Sequence, residues 1–479
     1  MGSDLNSSVH IVLFPFMSKG HTIPMLQIAR LLLLRRGITI TIFTTHANSP
    51  FIRQSLSDTQ PNVSVIELDF PTNIPELPPG IESTDQFPSM SLFIPFANAT
   101  KLMQPDFEKA LNNLSISGGV NCIISDGFLF WTQKSAEKFS IPRLVFYGMN
   151  NYVMTLCRIL GRNRSHLKLG LDEPFTVPGF PSVKLTLNDF ESPMNDSNPQ
   201  GPHFEFIVET GIATSKSQGL VVNSFYELEP AFLDYWNREF VPKAWCVGPF
   251  GLVEKTKYDQ AAEKSNPKPD WIKWLDQKSV EGRSVLYVAF GSQAEITKEQ
   301  LREMAAGLER SEVSFLWVVR SKGSEGLEEL EEKVKGRGLV VREWVDQVEI
   351  LGHESVKGFM SHCGWNSALE GICTAVPILA WPMMAEQHLN ARMVAEELGV
   401  GLRILGSNGS VRGFVGAEIV EKMVRELMEG EEGEKVSKKV KEVGEAARKA
   451  MEEGGSSWRT LDQLIDETCR NTDPTHLLP

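Results

Sequence analysis

Short apolar runs alternate with segments of helical period along most of the chain. In the first half, VHIVLFP (9–15), ITITIFTT (38–45), VSVIELDF (63–70), NCIISD (121–126) and RLVFYG (143–148) predict strands. Residues 23–36 carry apolar positions at helical spacing and predict a helix. The Pro-rich stretches 71–90 and 168–203 predict surface loops. The polar, turn-rich stretch 247–270 reads as a linker. The alternation then restarts with strands at 284–292, 315–320, 338–345, 357–362, 376–382 and 400–405. Helices are expected near 297–309, 364–374 and 386–398. Residues 415–453 are charged and mostly helical, as a solvated helix face is, and 456–469 predict an amphipathic helix. Strand–helix alternation implies parallel sheets covered on both faces. The expected fold is therefore α/β, with two doubly wound Rossmann-like domains facing a cleft. The expected boundaries are 1–246, a linker at 247–270, 271–455, and a terminal helix and tail at 456–479.

Composition narrows the partners. The chain has 479 residues, too many for one core, and a net charge of −13, which argues against nucleic acid or an anionic membrane. Six cysteines without C-x-x-C spacing suggest free thiols in a reducing compartment rather than a disulfide frame or a zinc site. The polar start MGSDLNSSVH lacks the form of a secretion signal, and Asn6 breaks the myristoylation pattern. No run of 18 apolar residues predicts a membrane span. A cytoplasmic protein, monomeric by default, is expected.

Two stretches carry candidate chemistry. In FPFMSKGHTIPMLQIARLL (14–32), His21 sits in the corner between the first strand and the first helix. Asp126 ends the strand NCIISD, at the same carboxyl-end rim. A carboxylate bonded to one ring nitrogen fixes the tautomer and favours the imidazolium formed when the other takes a proton. The second stretch runs from Trp344 to Gln387. Its middle, SHCGWNSALE, follows a strand and opens a helix. Gly364 allows close backbone approach, and Asn366 and Ser367 suit a helix's first turn, whose amides attract phosphate. His362 offers a further donor. Glu370, four residues past Asn366 on the same face, suits a sugar diol. Trp344 offers a flat face for a base, and Gln347 an amide for a base edge.

This stretch closely resembles the signature box of plant UDP-sugar-dependent glycosyltransferases. The resemblance spans essentially the whole chain, and MSKGHTIP, WVDQ and WPMMAEQ look like the family 90 branch. It implies the GT-B fold, an N-terminal acceptor-binding and a C-terminal UDP-sugar-binding domain, inversion at the anomeric carbon, and neither metal nor cofactor. Carried over by position, His21 matches the general base and Asp126 its partner. Trp344 matches the residue stacked on uracil, with Val345 and Gln347 beside it, and Glu370 the ribose ligand. Ser292, His362, Gly364, Asn366 and Ser367 match the diphosphate site. Trp365, Glu386 and Gln387 surround the donor sugar, and the final Gln points to UDP-glucose. The terminal helix is implied to return to the first domain. Three positions depart from the usual pattern. Asp346 stands where Pro is common, its side chain expected toward solvent. Ala375 replaces Gly, implying that no positive φ is needed. Glu386 replaces Asp.

The acceptor side is expected to be apolar, lined by Phe16, Met17, Phe93, Ile94, Phe128 and Met149. That suits a flavonoid or other phenolic. Two alternatives stand beside O-glycosylation: transfer to carbon of an activated aromatic ring, and a UDP-sugar-binding protein without catalysis. Retention of both His21 and Asp126 speaks against the latter. Rival classes fail on motif: no G-x-G-x-x-G follows the first strand, and G-x-S-x-G and the P-loop are absent.

Overall fold

The computed structural model of the protein describes residues 8–253, 268–291, 293–319 and 327–470. They divide into two compact units, one drawn from 1–151, 200–261 and 449–479, the other from 152–199 and 262–448. Most of the expected linker, 254–267, lies outside the described residues.

Among the described residues up to Cys246 the strands are β1 (Val9–Phe14), β2 (Ile38–Thr45), β3 (Val63–Leu68), β4 (Cys122–Asp126), β5 (Arg143–Tyr147), β6 (Phe175–Val177), β7 (Phe180–Leu185), β8 (Gly219–Val222) and β9 (Ala244–Cys246). The first unit is built on a parallel sheet of seven, in the order β3-β2-β1-β4-β5-β8-β9. Its central strands are buried on both faces, which is why they read as unbroken apolar runs. The five strands expected here lie where the pattern put them. β8 and β9 were not expected, being four and three residues long, too short for a period to register. At Gly219 an added Cβ would come within 2.8 Å of the Leu144 side chain and 2.9 Å of the Trp245 indole nitrogen, so the glycine leaves room for those two side chains.

The first helix spans Lys19–Leu33 and starts earlier than expected, with Pro24 inside it. His21 therefore stands in the helix's first turn, not in a corner ahead of it. The terminal segment, helix Ser456–Leu464 and the wide turn Ile465–Arg470, is part of the first unit. Leu461, Leu464, Ile465 and Cys469 join the core formed by β1 and the first helix. Arg35 ties it down, its guanidinium 3.6 Å over the Trp458 ring and its Nε donating to Asp462 at 2.8 Å.

The second unit holds β10 (Val285–Ala289), β11 (Ser314–Val318), β12 (Gly338–Val341), β13 (Val356–Ser361), β14 (Ile378–Ala380) and β15 (Gly401–Arg403). They form one parallel sheet in the order β12-β11-β10-β13-β14-β15. Residues 152–199 belong to this unit, although the pattern places them ahead of the linker. Nor is 168–203 all loop: β6 and β7 pair there as an antiparallel hairpin. Just beyond it the fully buried Asp189 accepts a 2.7 Å bond from Arg392, which clamps this segment to the helix that opens at Gln387. Among the described residues no helix is long and apolar enough to cross a membrane, and no group of three or more His, Cys, Asp or Glu is placed to hold a metal ion.

Candidate active site

In open α/β sheets ligands bind beyond the carboxyl ends of the strands, where the strand order reverses. In the first unit that point lies between the paired strands β1 and β4. His21 follows one and Asp126 ends the other. Asp126 is fully buried. Its Oδ1 accepts from the Phe128 amide at 2.9 Å, capping the turn Gly127–Leu129. Its Oδ2 accepts from His21 Nδ1 at 2.6 Å. The imidazole is 18% exposed. With Nδ1 bonded to the carboxylate, Nε2 is the basic position.

Aromatic rings frame the pair. The Phe128 ring lies 4.9 Å from the imidazole and that of Phe16 5.7 Å away. Phe93 packs against both at 5.4 and 5.9 Å. Of the expected acceptor-side residues, Phe93, Ile94, Phe128 and Met149 are half-buried. Phe16 and Met17 are at most 1% exposed and belong to the core rather than to a pocket lining.

In the second unit the order reverses between the paired strands β10 and β13. After β13 the chain turns through Cys363, held at φ +60°, and enters the helix Trp365–Cys373. Asn390 steadies the turn by donating to the Cys363 carbonyl at 2.9 Å. The His362 ring sits between two glycines. A Cβ added at Gly291 or Gly364 would fall 2.8 or 2.6 Å from His362 Nε2. Gly364 thus makes room for an imidazole. Burial lowers His362 to about 4, so near neutral pH it is an uncharged donor rather than a cation. Asn366 and Ser367 occupy the helix's first turn, half-buried, where amides have no partner within the helix. Ser292 lies outside the described residues.

Trp344 is 63% exposed, unusual for so large an apolar ring, while Val345 beside it is buried. Gln347 opens the helix Gln347–Leu351, and its Nε2 donates to Ser367 Oγ at 2.9 Å and Glu370 Oε2 at 2.7 Å. The Tyr287 hydroxyl donates to its Oε1 at 3.3 Å. The amide is therefore turned toward Glu370, not held out with both groups toward a base edge. Burial raises Glu370 to about 7, against the pull of the Gln347 bond. Glu386 is half-buried at the start of the next helix. Gln387 is buried, its Oε1 accepting from the Met383 and Met384 amides at 3.0 and 3.1 Å, which leaves its amide nitrogen to offer. Trp365 is 1% exposed, so its indole is core and only its main chain lies at the helix start.

The comparisons fit this arrangement. Residues 233–417 match the family model of UDP-glucuronosyl and UDP-glucosyl transferases. The chain is 51% identical to UDP-glycosyltransferase 90A1 of Arabidopsis thaliana, over 97% of each. It is a plant UDP-glycosyltransferase of the family 90 branch. Two solved structures share the fold of this glycosyltransferase. Glycyrrhiza uralensis UGT73P12, complexed with glycyrrhetinic acid 3-O-monoglucuronide, has a TM-score of 0.86 at 28% identity, covering 98% of this chain and 97% of its own. Phytolacca americana UGT2, complexed with UDP-2-fluoroglucose and pterostilbene, has a TM-score of 0.79 at 29% identity, covering 96% and 99%. The two units are the Rossmann-like domains of the GT-B fold.

Two expectations for this glycosyltransferase need correction. Asp346 does more than face solvent: its Oδ1 accepts from the Glu349 amide at 3.1 Å and caps the helix that carries Gln347. Ala375 does adopt positive φ, at +58°. The chain leaves the helix Trp365–Cys373 through a left-handed turn closed by Ala375 N–H to Ile372 and Val376 N–H to Gly371, and alanine takes the strained place. Tyr287 and Asn390 were missed. Neither lies in a motif by itself; Tyr287 is one more apolar position of a strand until its hydroxyl is placed.

Proposed function

We propose that this UDP-glycosyltransferase moves glucose from UDP-glucose to a hydroxyl of a flavonoid or other phenolic, inverting the anomeric centre, with His21 as general base. The observation that carries this reading is the 2.6 Å bond from His21 Nδ1 to a buried carboxylate, set among aromatic rings. The acceptor hydroxyl gives its proton to His21 Nε2. Its oxygen forms the new bond to the anomeric carbon, and the bond from that carbon to UDP breaks, the electron pair leaving with the diphosphate. Asp126 holds the tautomer and stabilises the imidazolium. On the donor side Trp344 stacks on the base. Gln347 and Glu370, already bonded to each other, take the ribose. The first-turn amides with His362, Asn366, Ser367 and Ser292 take the diphosphate. Glu386 and the Gln387 amide take the sugar. The pterostilbene bound by the Phytolacca relative supports a phenolic acceptor.

Mass-spectrometric screening of mixed acceptors against several UDP-sugars tests the substrates. Glucose adducts of phenols are expected, labile to acid and glycosidase. Transfer to a sterol, terpenoid or sugar-bearing acceptor with none to phenols would overturn the acceptor, and acid-stable adducts would make the product a C-glycoside. The His21→Ala variant tests the base. Transfer should fall about 10²–10⁴-fold while UDP-glucose still binds by calorimetry. Lost donor binding would assign the ring to the nucleotide instead.

A further inference from the structure

Arg143 opens β5 at 2% exposure, beneath the His21–Asp126 pair. Its guanidinium is spent on groups around that pair. Nε donates to Ser125 Oγ at 2.6 Å, Nη2 to the Asp126 main-chain carbonyl at 3.2 Å, and Nη1 to Ser217 Oγ at 2.7 Å. It also lies within electrostatic reach of the Asp126 carboxylate. A carboxylate removed from water needs a countercharge, and a neutral imidazole supplies none.

We propose that Arg143 is a positioning residue for the proton transfer: acting through Asp126, it supplies the positive charge that balances the buried carboxylate, so that the His21 ring is left to take the acceptor's proton. The inference rests on the reading of His21 as base. With Arg143 present, Asp126 and Arg143 cancel, and His21 is left with its lone pair. Without it, the buried negative charge is relieved by a proton resident on His21, and a base that already holds its proton cannot accept another. The other groups around the pair do not replace this charge. Tyr147 faces both residues as a neutral phenol, its ionisation pushed up by burial and its hydroxyl bonded to Thr214. Lys19, two residues before His21, stands over the Phe51 ring. Lys216 and Glu137 pair with each other beyond Gln133, which bonds Glu137 and Ser217. Burial lowers Arg143 itself to about 10, so it remains a cation through the working range.

The test is the pH dependence of kcat/KM in Arg143→Met. Its acid limb should move up by about one pH unit or more, and transfer should recover toward the parent value in alkaline buffer. A loss equal at all pH values, or an unmoved limb, would overturn the inference, since a merely structural role lowers activity without moving a pKa. Hydrogen-exchange protection of the β1 and β4 amides checks that the first unit of the variant is folded. If the methionine variant does not fold, Arg143→Lys is read instead. It keeps the charge, so its acid limb should stay at the parent's position, and a limb displaced by about a unit would overturn the inference. His21→Ala separates the two ideas. Full transfer by that variant sinks the general base, whereas an inactive His21→Ala beside an unmoved Arg143→Met limb sinks only the role of Arg143.

Discussion

Burial lifts the Glu370 carboxyl to about 7, and this decides how the donor side responds to pH. On the proposed reading of Glu370 as the ribose ligand, the ionised carboxylate accepts from the sugar hydroxyls beside the Gln347 bond, whereas the protonated one spends an oxygen as a donor. UDP-glucose affinity, measured by calorimetry without acceptor, should therefore rise about five- to tenfold from pH 6 to pH 8. His362 sets no opposing trend, because at about 4 it is already neutral across that range. In Glu370→Gln the affinity should be lower and flat with pH. At this scale the sequence was readable where a residue's neighbours in the chain define its place. His21 and Asp126 could be paired because one follows a strand and the other ends one, at the same carboxyl-end rim, and because both match the family's base and its partner. Arg143 could not. It begins an apolar strand, and only folding brings it to Ser125 and Ser217. Nor could the fit of the His362 ring between Gly291 and Gly364, which come from different strands' ends.

At the scale of elements, the helix Trp365–Cys373 has its special backbone at both ends. Cys363 before it and Ala375 after it are both left-handed. A non-glycine residue there costs about 1–2 kcal/mol. The strain at Cys363 lies in the turn that presents His362 and the first-turn amides, where strain is often part of a binding site. At Ala375 it lies beyond the helix and serves no contact described above. Ala375→Gly should thus stabilise the second unit by about 1 kcal/mol, read as a higher thermal midpoint, with transfer unchanged. Long buried strands were legible because they are apolar throughout. β8, β9 and the β6–β7 hairpin were not, because three or four residues, or a stretch broken by Pro178 and Pro181, carry no period.

At the scale of the molecule, the first unit is assembled from three stretches of chain and closed by the last. Leu464 is 1% exposed in the core that β1 and the first helix share. Leu464→Ala should cost about 2–5 kcal/mol, seen as weaker hydrogen-exchange protection of the β1 and β4 amides. The domain order was legible from the two runs of alternation, and the return of the terminal helix only through resemblance to a family. That residues 152–199 cluster with the second unit was legible from neither, because it depends on a clamp between Asp189 and Arg392, far apart in sequence.

The terminal helix also carries a consequence for how the protein is made. A ribosome delivers β1 about 450 residues before the cover for its apolar surroundings, Leu461 to Cys469. In between it must deliver all of the second unit. A nascent chain therefore holds an uncovered oily surface through much of translation, and a holdase chaperone that grips such surfaces should release it only once the final turns emerge.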